Sequence, residues 1–342
     1  MIKLGHLFVS TGEAENILII RLSSLGDILL TTPLLRSLKN LYPGKKIDFL
    51  VRSEYAGVLK FNPYVSEVLL YNRDPNEGLL ERLKTKSYGM IVDLQNNLRS
   101  RKIVKTFKDI PVYRFNKRSF DKFLLVKFKV NRLSDAPQIP VRYASSIPGF
   151  NLDDKGLDLF LPENAEEFNA PKVERQDNLI AFCPGSRHFT KMWPLEYFAA
   201  LGRLLEKKGF KIVLLGGRSD REVCQRLSEK IPSSVDLSNE DELFFMAALM
   251  KKCRLVVCND SGLMHLSCAA GVPVLAIFGS TVKEFGFTPY KNKNLILENN
   301  SLSCRPCSHI GRDKCPLGHF KCMLELTPEM VFDNVKRMLD LS

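Results

Sequence analysis

Residues 257–266 read Val-Cys-Asn-Asp-Ser-Gly-Leu-Met-His-Leu: an apolar run, a small-residue turn at Asp260-Ser261-Gly262, then a second apolar run. A strand over 255–258 followed by a helix over 263–270 would aim backbone N–H groups and the positive end of a helix dipole into the turn, where anions bind. The plainer reading is that Asp260 or Ser261 only caps the helix. A different chemistry is offered by Cys304-x2-Cys307-x7-Cys315-x6-Cys322, four thiols in a Gly-, Pro- and Lys-rich loop with no core of its own. Four thiolates would make a closed, structural metal site, with zinc expected, iron as the alternative, and His309 and His319 as substitute ligands.

These residues need elements to position them. From Asn178 onward, strands are expected over 179–183, 211–215, 235–237, 255–258 and 273–278. Helices are expected over 194–208, 220–230, 241–250 and 263–270. Such a βαβ series builds a parallel sheet covered on both faces, with every strand-to-helix loop on the carboxyl edge. The loops gathered there offer Gly, Ser, Thr, Arg187, Lys191 and His265 to one ligand, which suits a phosphorylated nucleotide. No P-loop and no complete Gly-x-Gly-x-x-Gly occurs, which disfavours an ATPase or a nicotinamide dehydrogenase.

The front half repeats this grammar. A buried strand over 16–21 leads into the tight turn Ser23-Ser24-Leu25-Gly26-Asp27, and residues 28–41 carry helical spacing that Pro33 either kinks or opens late. Further strands are expected over 47–51, 68–70 and 90–94. The 342 residues suit two domains, an N-terminal one over 1–165 and a C-terminal one over 166–342 that includes the cysteine loop 303–323 and a terminal helix. The Pro-, Glu- and Asn-rich segment 161–178 reads as the linker. Two such sheets facing each other make a cleft with one ligand on each side.

Charge is divided unequally. Residues 1–160 hold 26 Lys and Arg against 16 Asp and Glu, whereas 161–342 hold 24 against 22, so the front half is the basic one. Residues 99–132 pack 12 basic residues against only Asp109 and Asp121, interleaved with Phe107, Tyr113, Phe115, Phe120, Phe123 and Phe128. Beyond a solvated face, the partners that fit are an acidic glycan, an anionic membrane surface or, last, nucleic acid, for which no binding motif is present. No run of 18 apolar residues exists, and the first 15 residues are too weakly apolar for a signal peptide. Nine cysteines then argue against a disulfide framework, and a soluble, intracellular protein is expected.

At this point the motifs carry a family likeness. Arg21-Leu-Ser-Ser-Leu-Gly-Asp27, Asp93-Leu-Gln-Asn-Asn-Leu-Arg99, the loop Pro184-Gly-Ser-Arg-His-Phe-Thr-Lys191-Met-Trp-Pro194, Asn259-Asp-Ser-Gly-Leu-Met-His265 and Phe278-Gly-Ser-Thr281 resemble glycosyltransferase family 9, the lipopolysaccharide heptosyltransferases. The likeness runs from about residue 16 to 339, and the Asp93 segment is most similar to the second heptosyltransferase. It implies an α/β, GT-B fold: two Rossmann-like parallel-sheet domains around a cleft. It also implies inverting transfer of a heptose from an ADP-sugar donor to an anionic lipopolysaccharide core or lipid A acceptor. The 15 residues before the first strand depart from the family.

The resemblance distributes roles. Asp27 would be the base that takes the acceptor proton, against its plainer reading as a helix cap, and Lys191 the cation that meets the departing diphosphate. Donor contacts are expected from Ser186, Arg187, Thr190, Lys191, Asp220, Asp260, Ser261, Gly262 and His265, with Asp220 or Glu222 toward the ribose. Acceptor contacts are expected from Ser24, Gly26, Asp93, Gln95, Arg99 and Arg101. No catalytic metal is expected, since no paired acidic motif would hold one. Cys304, Cys307, Cys315 and Cys322 are expected to hold a structural ion far from the reacting bond. The protein would lie in the cytoplasm, peripheral to the anionic cytoplasmic face of the inner membrane. Two other classes compete: a GT-B sugar-nucleotide epimerase or hydrolase, and a non-catalytic binder of acidic polymers.

Overall fold

The computed structural model describes residues 16–72, 77–163, 165, 173, 178–238 and 243–341. The segment 1–15, most of the expected linker 161–178, and the expected helix start at Asp241 lie outside the described residues.

Eleven strands form two parallel sheets. The first takes β1 (Asn16–Ile20), β2 (Ile47–Arg52), β3 (Glu67–Tyr71), β4 (Tyr88–Asp93) and β5 (Val112–Arg114) in the order β3-β2-β1-β4-β5. Ile17 pairs with Ile47 on one side and with Met90 on the other. The second takes β6 (Leu179–Cys183), β7 (Lys211–Leu214), β8 (Val235–Asp236), β9 (Leu255–Asn259), β10 (Val274–Phe278) and β11 (Asn294–Glu298) in the order β11-β10-β9-β6-β7-β8. Helices on both faces explain why β1, β6, β9 and β10 are near-continuous apolar runs: neither face meets water. In each sheet the strand order reverses beside the first strand, between β1 and β4 and between β6 and β9. At such a reversal adjacent loops part and a crevice opens at the carboxyl edge.

Pro33 opens a helix late. Residues Leu25–Leu29 form a short helix and Thr32–Leu41 a second, with the proline in its first turn, where its missing N–H costs nothing. The compact units run to Arg118 plus Pro137–Phe160, and over Ser119–Ala136 plus everything from Leu161. Residues 119–136 therefore pack with the second unit, although a division at 165/166 leaves them in the first. The cause is local: Leu125 and Leu133 bury against Val282 and Phe285 of the second unit.

Candidate active site

In the first unit, β1 delivers Arg21 and the turn behind it delivers Asp27. Arg21 is almost fully buried, and its guanidinium bonds Asp27 Oδ1 at 2.6 Å, the Leu94 carbonyl at 2.8 Å and the Ser23 carbonyl at 2.8 Å. Ser24 donates to Asp27 Oδ2 from its backbone N–H at 3.1 Å and from its hydroxyl at 2.9 Å. Burial alone would raise the Asp27 pKa, but Arg21 and the two Ser24 donors outweigh it, so the carboxyl sits below its ordinary value. Asp27 is thus held as a carboxylate. The cap reading is also true, because Asp27 occupies the third helical position and accepts from the Ser24 N–H as in a capping box.

The other first-unit residues divide. Asp93 is buried at the end of β4, accepting from the N–H groups of Gln95 (3.1 Å) and Asn96 (2.7 Å) and from the Ser100 hydroxyl (2.9 Å). Those bonds use its carboxylate to shape the turn. Gln95 accepts from the Leu22 N–H at 2.9 Å and so ties the β4 turn to the β1 turn. Gly26 is buried in the short helix. Arg99 is exposed, and exposed Arg101 donates to Asn96 at 3.2 Å. Sequence reasoning passed over Arg21, Tyr143 and Lys117. The Tyr143 hydroxyl lies 3.5 Å from Asp27 Oδ1. Half-buried Lys117 lies within electrostatic range of Arg21, Asp27, Asp93 and Arg101, and burial lowers its pKa. Lys117 and Tyr143 are distant in sequence from Asp27, and no spacing rule ties them together.

In the second unit, the loop after β6 meets the turn after β9. Asn259 donates to the Pro184 carbonyl at 2.7 Å and accepts from the Trp193 N–H at 3.0 Å, cross-linking the two loops at the sheet's reversal. This brings Lys191 Nζ to 2.8 Å from Asp260 Oδ2, which also accepts from the Thr281 hydroxyl at 2.6 Å. Asp260 therefore does not cap the following helix, Gly262–Ala269. Ser261 stands at the cap position in extended backbone, yet its side chain makes no cap hydrogen bond. The Ser261 and Ser280 hydroxyl oxygens are buried with no hydrogen-bond partner among the described residues. A helix start, one lysine and two unspent hydroxyls collect at one edge, which is an anion-binding chemistry.

Asp220 sits at the same edge after β7, accepting from the Gly217 N–H at 3.1 Å, with its pKa raised by burial. A β-carbon at Gly185 would overlap its carboxylate, and one at Gly216 would lie 2.7 Å from its Cβ, so a side chain at either position would displace Asp220. His265 is buried within the helix. Ser186 is half-buried and Arg187 exposed. Thr190 is buried, and its hydroxyl accepts from the Arg312 N–H at 2.8 Å and donates to the Arg312 carbonyl at 3.1 Å. That hydroxyl ties the loop after β6 to the cysteine loop.

The cysteine loop is fastened to the loop after β10. Arg305, buried, pairs with Glu298 at 2.8 Å and donates to the carbonyls of Gly279 (2.6 Å), Thr281 (2.8 Å) and Asn299 (2.6 Å). The Cys307 N–H donates to the Ser280 carbonyl at 3.2 Å. Cys304, Cys307, Cys315 and Cys322 line one cavity of about 20 Å³ together with His319, whose Nε2 lies 3.8 Å from Cys304 Sγ. Burial pushes the Cys322 thiol up to about 11. Among the described residues, however, no three His, Cys, Asp or Glu side chains converge as a ready metal-ligand group.

The sequence model of glycosyltransferase family 9 (heptosyltransferase) matches residues 78–317. The chain belongs to glycosyltransferase family 9. Lipooligosaccharide heptosyltransferase 2 of Haemophilus influenzae is 26% identical, over 95% of this chain and 99% of that protein. Among solved structures, a family 9 glycosyl transferase from Veillonella parvula superposes with a TM-score of 0.79 at 24% identity, covering 96% of this chain and 98% of that one. The ADP-heptose lipopolysaccharide heptosyltransferase II of E. coli superposes with a TM-score of 0.72 at 24% identity, covering 95% and 98%. The fold is thus GT-B, and the family 9 chain is a glycosyltransferase, which sets aside the epimerase or hydrolase reading and the non-catalytic binder. Among its described residues no helix is long and apolar enough to cross a membrane.

Proposed function

We propose that this family 9 glycosyltransferase moves a heptose from ADP-heptose to an anionic sugar of the lipopolysaccharide inner core, with inversion at the sugar carbon. The observation that carries the reading is the Lys191–Asp260–Thr281 cluster at the uncapped helix start, beside the unspent hydroxyls of Ser261 and Ser280. As the bond between the sugar carbon and the diphosphate breaks, negative charge grows on the leaving oxygen. Lys191 and the first N–H groups of Gly262–Ala269 would meet that charge without reorganising. In the first unit, the acceptor hydroxyl loses its proton to Asp27 as its oxygen bonds the sugar carbon. Arg21 makes Asp27 a weaker base but keeps it ionised, so it needs no prior deprotonation. No step is assigned to a metal. Asp220 is assigned to the ribose hydroxyls, and Arg99 and Arg101 to the acidic acceptor.

The four cysteines fit a structural zinc, with iron as the alternative, by the chemistry of the donor set: soft thiols sharing one cavity in a loop with few apolar residues. When bound, the ion would supply folding energy and nothing to the reaction. A cytoplasmic position, peripheral to an anionic membrane surface and without nucleic acid as a partner, belongs to the same reading, because the acceptor is lipid-linked.

The test is incubation with ADP-heptose and a deacylated inner-core acceptor, with products read by mass and the new anomeric centre by NMR. One added heptose with inverted configuration is expected. Turnover only with another sugar nucleotide, or retention, would sink the reading. Elemental analysis of protein purified without added metal checks the cysteines, with about one zinc or iron per chain expected.

A further inference from the structure

The helix Ser119–Phe128 carries an aromatic stripe that the fold leaves outside. Phe120, Phe123 and Phe128 are 64%, 53% and 59% exposed, and Val130 beyond the helix end is 45% exposed. Phe120, Phe123 and Lys127 fall at i, i+3 and i+7, with Phe128 one residue on, so they share one face. Phe123 and Phe128 meet edge to face with centroids 5.8 Å apart, which presents them as one block. The opposite face is fastened: Leu125 packs with Val282 and Phe285, Lys122 lies over the Phe287 ring at 5.7 Å, and Lys129 Nζ donates to the Cys304 (3.0 Å) and Pro306 (2.7 Å) carbonyls. The stripe is therefore held rigidly on the second unit, against the segment that follows Thr281, the residue bonded to Asp260.

We infer that this face docks the enzyme on an anionic lipid bilayer, the aromatic rings entering the headgroup boundary and the basic residues meeting lipid phosphates. Three large apolar side chains, each more than half exposed on one short helix, exceed the scattered apolar exposure of an ordinary surface. Exposed Lys127 stands with the rings on this face, in a chain of net charge +12, so the charge complements an anionic surface and opposes a second copy of itself. Aromatic rings beside lysines are the composition of a helix lying in a membrane interface. Docking here would hold the donor-side loop at the surface from which a lipid-linked acceptor projects, and this last point alone rests on the function proposed above.

Co-sedimentation of the full chain with phosphatidylglycerol-rich and with phosphatidylcholine vesicles, without nucleotide, tests the face. Wild-type protein should bind the anionic vesicles, and Phe120→Ser/Phe123→Ser/Phe128→Ser should bind at least about tenfold more weakly, with ADP affinity and melting temperature unchanged. Lys127→Glu should weaken binding by about fivefold in low salt. Anionic-vesicle binding that survives the triple substitution would overturn the inference, as would wild-type protein that fails to bind. So would a dimer that the triple variant turns into a monomer. Because the assay uses no sugar donor, vesicle binding without heptose transfer leaves this inference standing while the proposed reaction falls.

Discussion

The carboxylates at the two sheet edges, Asp27 and Asp260, are treated differently. Asp27 is fixed before any ligand arrives: Arg21 and the more distant Tyr143 hydroxyl meet Oδ1 and Ser24 meets Oδ2, with the shorter bonds coming from its own turn. Around Asp260 the bonding is incomplete. Its carboxylate orients Lys191 and Thr281, while the Ser261 and Ser280 hydroxyls nearby stay buried without a partner among the described residues. A finished site sets one group's protonation and geometry before substrate arrives. An unfinished one keeps polar capacity that a ligand can complete, and gains affinity in doing so.

The largest expected effect breaks the finished side. Asp27→Asn should fold, bind ADP as wild type does and lose at least about 100-fold in kcat, as for removal of a general base; a folded variant with near-normal transfer would refute the role. Arg21→Met should come next, destabilising the fold by ~3 kcal/mol because it leaves a largely buried carboxylate uncompensated. Its pH signature has a definite sign. The folded pKa of Asp27 lies below its ordinary value, so its contribution is present above the ordinary carboxylate range and is lost as pH falls through that lower folded value. Without Arg21, burial dominates, and the acid limb of kcat/KM should move to higher pH. An unmoved limb would separate the pair from catalysis.

The remaining tests act on the unfinished side. Lys191→Ala should weaken ADP binding by about tenfold or more, the worth of a charged hydrogen bond, and slow transfer as well; unchanged ADP affinity in calorimetry would take Lys191 out of the site. Arg305→Met strips donors from the carbonyls of Gly279 and Thr281 and leaves buried Glu298 unpaired, so a rise in donor KM larger than the fall in kcat is expected, with a stability loss of ~3 kcal/mol or more. The smallest change is Ser280→Ala. Removing a hydroxyl that has no partner should leave stability level or slightly higher, yet cost about threefold in ADP affinity if the ligand completes it. Lower stability with unaltered affinity would mean the hydroxyl is already satisfied.

Local pattern and element order made the fold readable from the chain. Apolar runs such as Ile17–Ile20 and Leu179–Cys183, each followed by a small-residue turn, announce parallel strands because burial on both faces leaves no alternation to confuse them. The edge strands β5 and β11 are harder to read, because their half-exposed residues carry no strong period. Chain order alone keeps residues 119–136 with the front half, since nothing local to them names Val282 and Phe285 as the residues they pack with.

The same boundary divides the sites. The sequence by itself determined which loops gather at the carboxyl edges, and so put Asp27, Lys191, Asp220 and Asp260 among the candidates, because a parallel sheet sends all such loops one way. Only tertiary structure decided what each does there. Asp93 and Thr190 hold turns together, Arg21 closes on Asp27, and the cysteine loop grips the loop after β10 through Arg305. Residue type states what bonds a side chain is able to make; which of those bonds are already spent depends on partners that folding brings from elsewhere in the chain.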